Sequence, residues 1–298
     1  MFRSGLLLSF TLLFALPVSA AKTTADESAT PARPYIETSY LIAPRQVAGF
    51  QLQGSSYDPE QKYAGAGFRY ALKDHQETRV DIYIYPAGRM SHATALDQGM
   101  QAFRTDMGNA VKGGTYADLE MQSSQAFNLA DTQPAVMPST SGKGHTATDK
   151  VVLAAIAEAN AESQQGRVQY MTLNLLPQNW PMYSNGYLFY RQLYYFKLRA
   201  SAAQQRISRE QFNALTDLAA RTLVPAIEVV NVGGCTATTI TVTAGAPPEQ
   251  MARELALQST THQRYNCHAD AAKAGIDRKS RQAEVVEISY TADEWKSQ

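Results

Sequence analysis

Cysteine, histidine and tryptophan are scarce in this chain, and neither sign of charge predominates. The five histidines, His75, His92, His145, His262 and His268, contain no His-x-x-x-His pair, and the two cysteines form no Cys-x-x-Cys. The spacings that bring zinc ligands onto one helix face or one knuckle are therefore missing, and no metal or other cofactor is expected. Formal charge is zero, with 27 basic and 27 acidic residues and no long block of one sign. Without a basic field there is nothing to draw in a phosphate backbone, so no nucleic-acid partner is expected. After the first 20 residues no apolar run approaches the ~20 residues needed to cross a bilayer, so the mature chain should carry no membrane-spanning segment. Internal repeats are absent as well, which argues against solenoids and propellers.

What remains is an ordinary globular composition, 44% apolar and 18% charged over 298 residues. That length suffices for one large or two small domains. Met1–Ala20 has the three parts of a secretory signal: Arg3, an apolar run from Leu6 to Leu16, and the small residues Val18-Ser19-Ala20. No cysteine follows to accept a lipid. The address expected is periplasmic or secreted, with residues 21–35 a polar, flexible lead-in. In an oxidising compartment two lone cysteines pair, so Cys235 and Cys267 are expected as a disulfide.

The patterning predicts an α+β fold, a mainly antiparallel sheet packed by at least two amphipathic helices. Its main domain is expected over 36–234, and 235–298 is read as a small disulfide-linked β-α-β segment that stands alone or packs on the main domain. The first strand is expected within 40–53, and Phe68–Leu72 with Thr78–Tyr85 reads as a hairpin because Val80, Ile82 and Ile84 alternate with Asp81, Tyr83 and Tyr85. Ser91 should cap a helix over His92–Lys112, whose stripe Leu96, Met100, Phe103, Met107, Val111 is a core face. A second helix, capped by Asp149, is expected over 150–163, whose start also reads as strand, and a strand over 168–176. Tyr187–Ala200 reads as one aromatic strand interrupted at Gln192. Ser208 and Gln211 form a capping box for a further helix that Pro225 should end, with a buried strand over 227–232 behind it. Thr236–Thr243 reads as a β-branched strand, Pro248 onward as a helix, and Ala283–Tyr290 as the last strand. In element order alone the chain is similar to the PsbP-like α+β sandwiches. No motif residue takes part in that similarity, and it implies no function.

Catalytic spacing is equally hard to find. Cys267-His268 with Asp270 has the residue types of a thiol nucleophile, but neighbours in sequence rarely face each other, and a disulfide would consume the thiol. Ser139–His145, with Gly142-Lys143-Gly144, lacks the spacing of a phosphate-binding loop. A hydrolase using Cys267/His268 or the 139–145 loop is the alternative reading. The leading one rests on 16 tyrosines. Their apolar faces and polar tips suit recognition of a peptide, a glycan or an envelope protein. Tyr83, Tyr85, Tyr187, Phe189 and Tyr195 are the candidate ligand-binding residues on an aromatic sheet face. The expected function is accordingly a non-enzymatic, exported binding protein.

Overall fold

The computed structural model describes residues 33–73, 75–130 and 146–295. Residues 1–20, expected as a signal sequence, most of the lead-in and the 139–145 loop lie outside them. The described residues belong to one compact unit. Strands β1 (Thr38–Pro44), β2 (Gln46–Val47), β3 (Phe50–Tyr57), β4 (Ala66–Leu72) and β5 (His75–Pro86) precede helix α1 (His92–Lys112). Then come β6 (Tyr116–Met121), β7 (Gln125–Asn128), α2 (Ala147–Glu162), β8 (Gln165–Leu175), β9 (Trp180–Arg191), β10 (Tyr194–Ala203), α3 (Arg209–Ala226) and β11 (Glu228–Val232). The chain closes with α4 (Pro248–Gln263), β12 (Cys267–His268), the single turns α5 (Ala271–Ala274) and α6 (Ile276–Lys279), and β13 (Ala283–Ser289).

The fold is α+β. A nine-stranded antiparallel sheet runs β2-β3-β4-β5-β10-β9-β8-β6, with β7 also paired to β8. A four-stranded sheet runs β12-β11-β1-β13. Residues beyond 235 thus supply both edges of the smaller sheet. The Cys235–Cys267 disulfide, with Cα atoms 5.8 Å apart, ties the turn after β11 to β12.

Period-two alternation gives the large sheet two apolar faces. On one, α1 lays Leu96, Met100, Phe103 and Met107 over Met171, Leu173, Leu188, Tyr190 and Tyr195. This approach needs Gly186, because a Cβ there would sit 2.4 Å from Phe103 Cζ. On the opposite face Phe68, Ile82, Tyr187, Phe189 and Phe196 join Phe212, Ala219 and Leu223 of α3 and Leu41 and Val229 of the small sheet in the principal core.

Several elements differ from expectation for identifiable reasons. The aromatic stretch is a hairpin, β9 turning into β10 at Gln192-Leu193, where both residues have positive φ (53° and 71°). This is the backbone of a primed two-residue turn, which Asn-Gly normally occupies. Tertiary contacts replace that local preference: Gln192 Oε1 accepts from Val229 N at 2.8 Å, Asn231 Nδ2 donates to Gln192 O at 3.1 Å, and Leu193 is fully buried. The opening stretch is likewise divided, β1 to the small sheet and β3 to the large one. Helix α2 is capped by Thr146, and Asp149 is the reciprocal partner at the third helical position. In α3, Pro225 lies inside the last turn, which Ile227 N closes onto Leu223 O at 3.0 Å.

The strand expected over 236–243 pairs with no other strand. Its backbone is held by α4 side chains instead, with Thr241 N donating to Gln258 Oε1 (3.1 Å) and Thr243 N to Glu254 Oε2 (2.8 Å). Two helix side chains do here what a neighbouring strand would have done.

A candidate ligand-binding cleft

At the turn end of the β9–β10 hairpin lies a cleft of about 500 Å³. Its walls come from the start of α1, the end of α2, the hairpin turn, and the end of α4 with the loop that follows. Each wall is set by a local rule. Ser91 caps α1, its Oγ accepting from Thr94 N at 3.2 Å, which delivers His92 to the cleft as the first helical residue. Tyr190 holds the preceding loop, its Oη donating to Gly88 O at 2.9 Å and accepting from Met90 N at 3.4 Å. Buried Asn231 ties the turn to the far wall: besides Gln192 O, its Nδ2 donates to Tyr265 O at 2.7 Å, while its Oδ1 accepts from Ser39 Oγ at 2.7 Å. On that far wall Asn266 takes a left-handed φ of 54°, tolerable for Asn, directly before the disulfide at Cys267.

Three nitrogen-bearing side chains converge here from different elements. His92 Nε2 is buried with no hydrogen-bond partner, and its ring centroid is 6.3 Å from that of Tyr190. Burial lowers the His92 pKa below the ordinary imidazole value; Glu162 and a backbone hydrogen bond at Gln165 pull against it, and Arg264 and Arg167 push the same way as burial. Arg264 Nη2 lies 3.6 Å from Glu162 Oε2, but its Nη1 is buried and unpartnered. Arg191, the last residue of β9, donates from Nη1 to Val224 O at 3.0 Å. Its guanidinium carbon is 5.9 Å from the Phe196 ring centroid, and among the described residues no carboxylate forms an ion pair with it. Burial lowers both arginine pKa values. The remaining acid, Glu228, is already met by Lys279 Nζ at 2.7 and 2.8 Å and by Asn266 Nδ2 at 2.9 Å.

The five aromatic residues singled out from the sequence are not on one surface. Tyr187 and Phe189 lie in the principal core, where Phe127 meets them edge-on at 5.0 and 5.9 Å. Tyr187 donates from Oη to Asp217 Oδ1 at 2.5 Å and bonds Thr216 Oγ1 at 2.8 Å. Tyr195 is on the opposite face, buried under α1, with its Oη donating to Ala95 O at 3.0 Å. Tyr85 packs on it, ring centroids 5.2 Å apart. Tyr83 lines a groove of about 330 Å³ shared with Tyr116, Met182 and Arg199.

None of these five lines the cleft, whose aromatic members are Tyr190 and Tyr265. Sequence spacing could not reveal it, because His92, Arg191 and Arg264 stand in separate elements and meet only through the fold.

Cys267 is bonded to Cys235 and carries no free thiol, and His268 Nε2 is paired with Asn266 Oδ1 at 3.0 Å. Among the described residues no three His, Cys, Asp or Glu side chains are grouped to hold a metal ion, and no helix is long and apolar enough to cross a membrane. No family model matches this chain, and no curated protein sequence matches it either.

Proposed function

We propose that this chain is an exported, non-enzymatic binding protein whose ligand site is the cleft at the end of the β9–β10 hairpin. Export is supported by the pattern of the first twenty residues and by the disulfide, which belongs to an oxidising compartment. The observation that carries the site is a pair of buried nitrogens without partners, His92 Nε2 and Arg264 Nη1, in two residues that line one cavity. Buried polar nitrogens without partners cost free energy, and a ligand that meets them recovers it. A volume of about 500 Å³ is in the range of small-molecule sites, and Met90, Leu193, Tyr190 and Tyr265 supply the apolar and amphipathic lining such sites use. The binding reading is also supported by the state of the serines. Ser91 Oγ donates to Thr94 Oγ1 and Ser163 Oγ to Asn160 O, both at 2.7 Å, so neither is paired with a base.

A second reading, recognition of a peptide, a glycan or an envelope protein on the open sheet face, has one observation in its favour. Arg199 lies 5.0 Å from the Tyr116 ring centroid beside Tyr83, and its Nε is buried without a partner.

The two readings separate in a thermal-shift screen of small molecules, peptides and glycans run on three proteins. These are the wild type, Gln263→Trp at the exposed rim of the cleft, and Tyr83→Ala in the groove. Stabilising hits lost in the Gln263→Trp protein and kept in the Tyr83→Ala protein are expected. Hits with the opposite dependence would move the site to the groove, and an absence of hits from all three proteins would remove the binding reading.

A further inference from the structure

Resting on the assignment of the cleft as the ligand site, we infer that its ligand is an organic monoanion, a carboxylate on a small apolar body. The carboxylate would sit among Arg191, Arg264 and His92, and the body against Met90, Leu193 and the rings of Tyr190 and Tyr265.

Charge counting sets the valence. The charged groups of the cleft walls are Arg191, Arg264, Glu162 and Glu228, with Lys279 bound to Glu228 from behind. Glu162 is met by Arg264 and Glu228 by Lys279, which leaves Arg191 as the lining cation with no carboxylate partner, its contact a carbonyl. A guanidinium withdrawn from water and given no counter-ion is costly unless something else supplies the charge. One carboxylate matches that need. A phosphate dianion would bring a surplus negative charge close to Glu162 and Glu228, so it fits worse.

Donor geometry agrees with the charge. Anchoring Nη1 of Arg191 on Val224 O leaves its Nε and Nη2 without a protein acceptor among the described residues, and this planar fork suits two carboxylate oxygens. Arg264, on the same lining, carries a further N–H without an acceptor at Nη1. A carboxylate accepts at both oxygens and donates nothing, which is the complement of a site with surplus N–H groups. A neutral amide would present its own donors to nitrogens that already donate.

The test uses matched probes: butyrate, hexanoate and 3-phenylpropanoate, each against its primary amide, with inorganic phosphate as a further arm, titrated calorimetrically into the mature protein. The acids are expected to bind about tenfold or more tightly than their amides, as charge-assisted hydrogen bonds imply. Phosphate is expected to be weaker than any of them. Arg191→Gln should erase the acid preference and Arg191→Lys should keep part of it, a rescue that separates loss of charge from loss of fold. Gln263→Trp should block acids and amides alike.

Amides binding as well as acids, with both blocked by Gln263→Trp, would overturn the monoanion assignment and leave the cleft as the site. Phosphate outcompeting the acids would overturn the valence argument. Acids and amides both silent at millimolar concentration would overturn the inference outright, and the broader screen would then decide whether the cleft binds anything.

Discussion

Replacing Gln192-Leu193 by Asn-Gly puts the ideal residues for a primed turn at the tip of the central hairpin, yet it should destabilise the protein. The local gain is real: Gln and Leu in the left-handed region cost about 1–2 kcal/mol each, and Asn and Gly, which tolerate it, recover roughly 2–3 kcal/mol. Two tertiary losses oppose it. Leu193 is fully buried, and deleting a buried leucine side chain costs ~2–5 kcal/mol. Losing Gln192 Oε1 leaves Val229 N without the acceptor it has at 2.8 Å, a penalty of ~1–3 kcal/mol. The losses outweigh the gain, and the net is a destabilisation of about 3 kcal/mol. Urea unfolding followed by circular dichroism measures it, with the m-value held constant to show that the unfolded state is unchanged. An Asn-Gly variant as stable as the wild type would refute the claim that the turn is imposed by its tertiary clamp.

Three further outcomes follow from the same structure. Tyr187→Phe should lower stability by about 1–2 kcal/mol, since it removes the bonds to Asp217 and Thr216, and should leave affinity for any cleft ligand unchanged. An altered affinity would return Tyr187 to the binding machinery. The double variant Cys235→Ser, Cys267→Ser opens a loop closed over 32 residues and should lose about 3–4 kcal/mol in the same unfolding assay. An unchanged midpoint would show that the disulfide does not constrain the chain. Burial also lowers the pKa of both His92 and His262, so the unfolded chain takes up more protons as the solution is acidified. The resulting stability is complete above about pH 6.5, the unfolded value, and is lost as pH falls from there towards the folded values. His92→Gln with His262→Gln should flatten that part of the profile, and a double variant with the wild-type slope would assign it elsewhere.

Much of the architecture was legible in local chemistry. Ser91 before a three-and-four apolar stripe places α1 to the residue, and Ser208 with Gln211 does the same for the start of α3. Alternation along Thr78–Tyr85 identifies β5. Illegibility begins where long-range contacts overrule local preference. Gln192-Leu193 turns without a turn sequence because Val229 and Asn231 hold it. Thr241 and Thr243 have β-branched side chains but spend their backbone donors on Gln258 and Glu254 of a helix. Tyrosine density drew attention to the sheet faces, but a period of two sends Tyr187 and Tyr195 to opposite sides, and both sides are covered. The cleft had no signature because its nitrogens come from three separated segments, each unremarkable in its own surroundings.

The most direct test of the cleft assignment is chemical-shift mapping of the labelled mature protein titrated with 3-phenylpropanoate. The account predicts saturable shifts in the backbone amides of 190–193 and 264–266 and in the His92 imidazole, with the Tyr83–Tyr116 groove unmoved. Shifts centred on that groove, or scattered without saturation, would contradict it.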